Sequence, residues 1–489
     1  MIENLKNLFF DQKSQKKTVL KNFLWLGTSQ VGGRLIRGII TIYSARALGT
    51  AGYGVFSYAM GLAAFFIFFK NIGVDSILTR EVAHRPSERD RLFATSFWLE
   101  VGLLVITALL LLFVAPLFSH IPEALALIPA VTLMIVADDM KDLFIAFFRG
   151  IEKMEWEAVV TVASNVAVVV FGFGALLISP TPLYLALAYA AASVFGVLLA
   201  GGIIFVRHVR GFFKSFDSGL IAPILISAWP IAIGGLAGLF FFNVDIIMLG
   251  FWRTTDDVGI YAAVQKIVGI LSVIPTLIIT STFPVFSRLA HQNDSVRMRQ
   301  AMESVIRILF LFSVPLVLGG IVLGAPLLNF IFGNAYGSGA SAMSILLISI
   351  IASFPTGLFS YFIFAYDKQR KMVLYPIIAA LINIGLNLFL VPRFGMIGAS
   401  VATLTTSVIY FFLLFQLCLK IEPFSLWRGF SKILGVAILM AIFAWVIQLS
   451  GVPVLANIAL SAGLYLFILK VLKEESLEEI LSMVRSTRS

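Results

Sequence analysis

Apolar residues in this chain run in long unbroken blocks instead of alternating with polar ones or recurring on one face of a helix. Such blocks, separated by charged or Gly/Pro-rich turns, are the signature of helices that cross a bilayer. The pattern predicts fourteen of them, over residues 22–45, 54–76, 93–118, 124–148, 158–179, 183–206, 221–251, 258–284, 304–325, 341–366, 374–391, 397–419, 431–449 and 455–470. Two divisions are short small-residue and proline turns, Ser179–Pro182 and Ser450–Pro453, which read as tight hairpins.

Composition agrees. Of 489 residues, 60% are hydrophobic and 13% charged, against about half and a quarter in soluble domains. An all-α polytopic membrane protein is the expected fold class, and soluble enzymes are excluded. The single cysteine, Cys418, lies in an apolar run, and the four histidines (His84, His120, His208, His291) sit near loops with no ligand spacing. No metal or other cofactor is expected. A net charge of +10 would suit nucleic acid only if the cations gathered on one soluble face. They are scattered through short loops, so no nucleic-acid partner is expected.

The cations instead report topology. With the N-terminus inside, 27 of the 36 Lys and Arg fall on cytoplasmic segments, three on the outer side (Arg46, Arg253, Arg393) and six within helices. This positive-inside pattern places both termini in the cytoplasm, for a multi-pass protein of a prokaryotic inner membrane. Residues 1–21 read as a basic amphipathic segment at the membrane surface. The outer loops are short and hold only three acids, Glu123, Asp256 and Asp257. That is too little for the positioned acids and bases of a glycan polymerase or transferase, and no Walker A sequence is present. Function therefore lies between the helices, as transport and not as catalysis.

A short internal repeat refines the architecture. Gly54-Val-Phe-Ser-Tyr-Ala59 and Gly259-Ile-Tyr-Ala-Ala-Val264 open segments 2 and 8, each after a short outer loop. Six crossings apart, they imply a parallel repeat of two six-helix lobes, with two further helices at the C-terminus. The expected organisation is an N-terminal lobe over 22–210, a cytoplasmic linker over 211–219 and a C-terminal lobe over 220–420. Segments 13 and 14 follow over 421–472, then a cytoplasmic tail over 473–489.

Ionisable residues at bilayer depth cost at least about 2.5 kcal/mol each on insertion scales, so each needs a partner or a wet cavity. Segment 1 carries Arg34 and Arg37 on one face. Segment 7 carries Asn243 and Asp245; segment 8 carries Gln265 and Lys266. Asp245 and Lys266 are at comparable depth and suited to pairing. Three cations against one acid suit an anionic ligand, and arginine forks suit phosphate. A second group comprises Glu100 on segment 3 with Asp138, Asp139, Lys141 and Asp142 on segment 4. A Glu100–Lys141 salt bridge is expected there, with a surplus carboxylate available to couple transport to Na⁺ or H⁺. Lys70 and Arg307 read as snorkelling residues, Asn165, Asn383 and Asn387 as interhelical hydrogen bonders, and Pro230, Pro275, Pro315 and Pro355 as bends.

Several stretches resemble one family. Arg46-Ala-Leu-Gly-Thr-Ala-Gly-Tyr-Gly-Val-Phe56 followed by Asn71-Ile-Gly-Val-Asp-Ser-Ile-Leu-Thr-Arg80 is similar to the opening of polysaccharide biosynthesis membrane proteins. These are the O-antigen and oligosaccharide-lipid flippases of the multidrug/oligosaccharidyl-lipid/polysaccharide exporter superfamily. Val391-Pro-Arg-Phe-Gly-Met-Ile-Gly-Ala-Ser-Val-Ala-Thr403 resembles that family's loop between helices 11 and 12. Asp245 with Met248-Leu-Gly250 and Gly259-Ile-Tyr-Ala262 resembles its seventh and eighth helices. The resemblance implies alternating-access translocation of a polyprenyl-pyrophosphate-linked oligosaccharide between leaflets for cell-surface polysaccharide synthesis. It also implies cations of helices 1 and 8 on the pyrophosphate, and glycosyltransferases or a glycan polymerase as partners. The alternative is a Na⁺- or H⁺-coupled small-molecule exporter of the same superfamily, whose cavity would be net acidic.

Overall fold

The computed structural model describes residues 15–66, 73–207, 215–427, 429–475 and 477–478, with the side chains of 15–31, 34–35 and 229–242 outside that description. Every regular element among the described residues is helical: α1 (Gln15–Phe66), α2 (Val74–His84), α3 (Arg89–Leu109), α4 (Ile128–Gly150), α5 (Met154–Ile178), α6 (Pro182–Arg207) and α7 (Ile221–Trp252). There follow α8 (Thr255–Leu271), α9 (Val273–His291), α10 (Ser295–Phe332), α11 (Ala340–Ala365), α12 (Leu374–Leu419), α13 (Phe430–Leu449) and α14 (Val454–Val471). Nine stretches among the described residues are long and apolar enough to cross a membrane, and two shorter apolar helices accompany them. The element order is consistent with fourteen crossings. This is an all-α, multi-pass membrane protein.

The two predicted hairpins fall as expected, between α5 and α6 and between α13 and α14. Two other predicted loops are instead kinks inside long helices. Gly49 in α1 (φ 67°) and Gly395 in α12 (φ 57°) reverse the backbone in single residues. Only glycine reaches positive φ without a Cβ penalty, so the chain turns with no loop to speak of. Segment 8 is broken at Ser272 into α8 and α9, with Pro275 in the first turn of α9. There a missing N–H costs no hydrogen bond. Segment 1 begins earlier than predicted, at Gln15, while Lys70 and residues 1–14 lie outside the described residues.

The chain divides into two compact units, Met1–Gly259 and Ile260–Ser489. In the first, α4 packs on α6 and α2, α5 on α1 and α6, and α7 on α1. An aromatic cluster of Phe93, Phe144, Phe147 and Phe148 fills its centre, with the Phe93 and Phe147 rings 4.6 Å apart. In lipid, close packing and interhelical hydrogen bonds hold helices together, and small residues allow the approach. Gly54 and Gly259 are the extreme case. A Cβ on Gly54 would lie 1.8 Å from the Thr255 carbonyl oxygen, and one on Gly259 would lie 2.0 Å from that of Thr50. The contact is reciprocal at the same sequence offset as the repeated motif, and the Thr50 hydroxyl adds a hydrogen bond to Asp256. The repeat seen in sequence is therefore a repeat in packing.

In the second unit, α10 packs on α11 and α13, α11 on α9 and α12, and α13 on α14. Several of its interior bonds are between neutral groups. The Tyr465 hydroxyl donates to the Leu311 carbonyl at 3.0 Å, Asn457 Nδ2 to the Ala444 carbonyl at 2.9 Å, and Asn387 Nδ2 to Asn383 Oδ1 at 3.0 Å. Cys418 is buried and inert in position, its Sγ facing the Phe359 carbonyl. Arg307 departs from expectation. It does not snorkel but is buried and ion-paired with Glu475, beyond the end of α14. That acid lies 168 residues away in sequence, beyond the reach of any local pattern.

Candidate functional site

Beyond Glu155 in its first turn, helix α5 carries one polar stripe: Glu157, Thr161, Ser164 and Asn165 recur at helical spacing and share a face. That stripe faces α1, α2 and α4 across a cavity of about 310 Å³ within the first unit. The cavity is lined by Arg37, Asp75, Lys141, Asp142, Ile145, Arg149, Glu157, Thr161 and Ser164. Three cations and three acids therefore meet inside a bundle whose outer faces are apolar.

At one end of the cavity, Arg149 closes a fork on Glu157. Its Nε donates to Oε2 at 2.8 Å and an Nη donates to Oε1. The pair spans the turn between the last residues of α4 and the first turn of α5. The Glu157 side chain is 2% exposed and that of Arg149 is 43% exposed. In the middle, buried Lys141 pairs with Asp138 one turn earlier on the same helix. The expected partner was Glu100. The i,i+3 spacing puts Asp138 within reach on the same helix, and it takes the ammonium. Glu100 and Asp139 are buried, whereas Asp142 is exposed towards the cavity.

At the far end, Arg37 Nε donates to the Asn165 amide oxygen. Arg37 lies in α1 twelve residues before the Gly49 kink, about 18 Å along the helix. Its hydrogen-bond partner is neutral, and no carboxylate among the described residues forms a salt bridge with it. Two glycines make room for this polar layer. A Cβ on Gly33 would meet Asn165 Nδ2 at 2.4 Å, and one on Gly196 would meet Ser164 Oγ at 2.5 Å and the Lys141 stem at 2.9 Å.

Of the residues named from sequence, Arg37, Lys141 and Asp142 line this cavity and Asp138 pairs with Lys141. The side chain of Arg34 lies outside the described residues. Asn243 is half-buried and Asp245 buried in α7 of the first unit. Gln265 is half-buried and Lys266 exposed on α8 in the second. Asp75, Arg149, Glu157, Thr161 and Ser164 were not anticipated. Arg149 stands next to the Gly150 turn, where a cation is ordinary in a membrane protein. The stripe on α5 was the available signal.

Comparison with known proteins now identifies the family. The sequence model described as "Polysaccharide biosynthesis protein" matches residues 19–290, and the one described as "Lipid II flippase MurJ" matches residues 261–470. The chain belongs to the polysaccharide biosynthesis protein family. A relative named "Probable flippase AglR", from Haloferax volcanii, is 25% identical over 381 residues, covering 76% of this chain and 77% of that protein. Among solved structures, the fold is similar to lipid II flippase MurJ in an inward closed conformation, with a TM-score of 0.74 at 15% identity, covering 92% and 98% of the two chains. It is also similar to an inward-facing multidrug resistance MATE family transporter of the MOP superfamily, with a TM-score of 0.63 at 14% identity over 81% and 93%.

Proposed function

We propose that this protein is a flippase that carries a polyprenyl-pyrophosphate-linked oligosaccharide from the inner to the outer leaflet of the cytoplasmic membrane, by alternating access, for cell-surface polysaccharide synthesis. The observation that carries the reading is Arg37, an exposed cation on the cavity wall that is hydrogen-bonded to a neutral amide. An arginine whose hydrogen-bond partner is neutral, and which forms no salt bridge among the described residues, is a strong, directional receptor for phosphate oxygens. A cationic small molecule would be repelled from it. The names of the relatives point the same way, since the AglR protein is named as a flippase.

In this reading Arg34, Arg37 and Lys266 supply charge to the pyrophosphate, with Asn243, Asp245 and Gln265 as polar neighbours. Glu100, Asp138, Asp139 and Asp142 are the carboxylates through which Na⁺ or H⁺ couples to transport. Both termini are cytoplasmic, and the glycosyltransferases or polymerase of the same glycan are its partners. The prenyl tail stays in lipid while the headgroup crosses. The test is leaflet exposure of a pyrophosphate-linked oligosaccharide lipid in proteoliposomes, with and without an ion gradient. Transfer by wild type that collapses in Arg34→Ala, Arg37→Ala and Lys266→Ala supports the flippase. A folded wild type that transfers no lipid but drives gradient-dependent efflux of a small cation makes it an exporter.

A further inference from the structure

The Arg149–Glu157 fork is not used by the translocation reading, yet it is the most completely built ion pair in the cavity. We propose that Arg149 is the entry subsite for the pyrophosphate, and that Glu157 occupies its fork until the anion arrives and takes up a proton when displaced. This rests on the flippase reading and adds to it a proton step at a named atom.

Three observations carry it. The two carboxylate oxygens of Glu157 accept from Nε and Nη of Arg149, the same two-point geometry in which a guanidinium holds phosphate oxygens. The exposures are unequal, 43% for the arginine side chain and 2% for the acid. A ligand can reach the cation from solvent, whereas the acid is shielded while it is paired. Finally, the cavity continues from Arg149 past Lys141 to Arg37, so an anion received at the fork has further cations ahead of it.

The surroundings decide where the proton goes. Facing Glu157 are Asp75 on α2, Lys141, Asp142 and Arg149 on α4, and Arg37 on α1, with Thr161 and Ser164 on its own helix; α6 adds Gly196 against this layer and Tyr189 beside Arg37. Lys141 is engaged by Asp138. A carboxylate displaced from Arg149 is then a buried anion beside two other acids and an incoming phosphate. Burial and like charge both favour its neutral form. The exchange balances: pyrophosphate enters, one proton from water joins a Glu157 oxygen, the arginine keeps its charge, and release reverses both steps.

Calorimetric titration of the full-length protein in nanodiscs tests this, using farnesyl pyrophosphate and inorganic pyrophosphate in two buffers of different ionisation enthalpy. Wild type is expected to take up about one proton more per bound pyrophosphate than Glu157→Gln. Glu157→Gln should bind about tenfold tighter at pH 8 and lose most of the pH dependence. Arg149→Lys, which keeps the charge but not the fork, should bind about tenfold more weakly while its melting curve shows a folded protein. Equal proton uptake by wild type and Glu157→Gln, or Arg149→Lys binding like wild type, overturns the inference and leaves the flippase reading standing. A folded wild type that binds neither pyrophosphate defeats both.

Discussion

The two units are built from the same kind of helix, yet their interiors differ in kind. The first gathers charge at a cavity: Arg149 with Glu157, Lys141 with Asp138, and Arg37 on Asn165. The second closes its interior with neutral hydrogen bonds from Tyr465, Asn457, Ser461 and Asn387. It also buries one partner in each of two ion pairs, Glu303 with Arg299 and Arg307 with Glu475. Neutral bonds suffice to hold helices together in lipid, at about 0.6 kcal/mol each. Charge at depth costs several times more. The proposed function therefore places the ionic ligand at the cavity of the first unit, where cations and acids line one recess.

The largest effect should come from breaking the fork. Arg149→Ala leaves Glu157 buried without its partner, a loss of about 1–3 kcal/mol once the arginine's partial exposure is allowed for. Thermal melting in nanodiscs should show a clear drop, and adding Glu157→Gln to the same chain should recover much of it. Next comes the space around the polar layer. Gly33→Ala and Gly196→Ala push on Asn165, and on Ser164 and Lys141, at 2.4–2.9 Å. Transport should fall by about tenfold with little change in melting, because flexible side-chain ends yield but leave their places. Gly102→Ala and Gly174→Ala, with nothing within 4 Å, are the controls and should be neutral or slightly stabilising.

In the second unit, Asn457→Ala removes bonds to Ala444 and Ser461. It should cost about 1 kcal/mol and leave transport intact. A change there as large as at Arg149 would erase the distinction between the units. The smallest effect is expected at Asp217, before α7. The Gly219 N–H and the Arg91 guanidinium hold its carboxyl below the usual aspartate range. A lowered folded pKa contributes stability that is present above the usual aspartate value and lost as pH falls through the lowered one. Hydrogen exchange in residues 215–220 should therefore rise only in acid, and Asp217→Asn should show the acid rate at neutral pH.

Much of the fold was legible because the bilayer forces long apolar helices, and turns between them must be polar, small or proline-bearing. The α5–α6 and α13–α14 hairpins follow from that alone. The kinks at Gly49 and Gly395 were legible as breaks but not as single-residue reversals, since positive φ depends on context. The candidate site was half legible. Arg37 and the acids of α4 stand out against apolar neighbours, whereas Arg149 and Glu157 stand beside a turn where charge is ordinary. Which way an end-of-helix charge points is set by rotation about the helix axis, and the polar stripe 157–161–164–165 encodes that rotation for α5. The choice of Asp138 over Glu100 by Lys141 depended on packing that spacing could only restrict to a few partners.

The central claim is that the charged interior of the first unit handles the anionic headgroup of a translocated lipid. The most direct measurement is the rate at which a pyrophosphate-linked oligosaccharide lipid changes leaflet in proteoliposomes holding Arg37→Gln or, in parallel, Asn457→Ala. The account predicts loss of transfer in the first and near wild-type transfer in the second, at equal amounts of folded protein. Wild-type transfer by Arg37→Gln would contradict it.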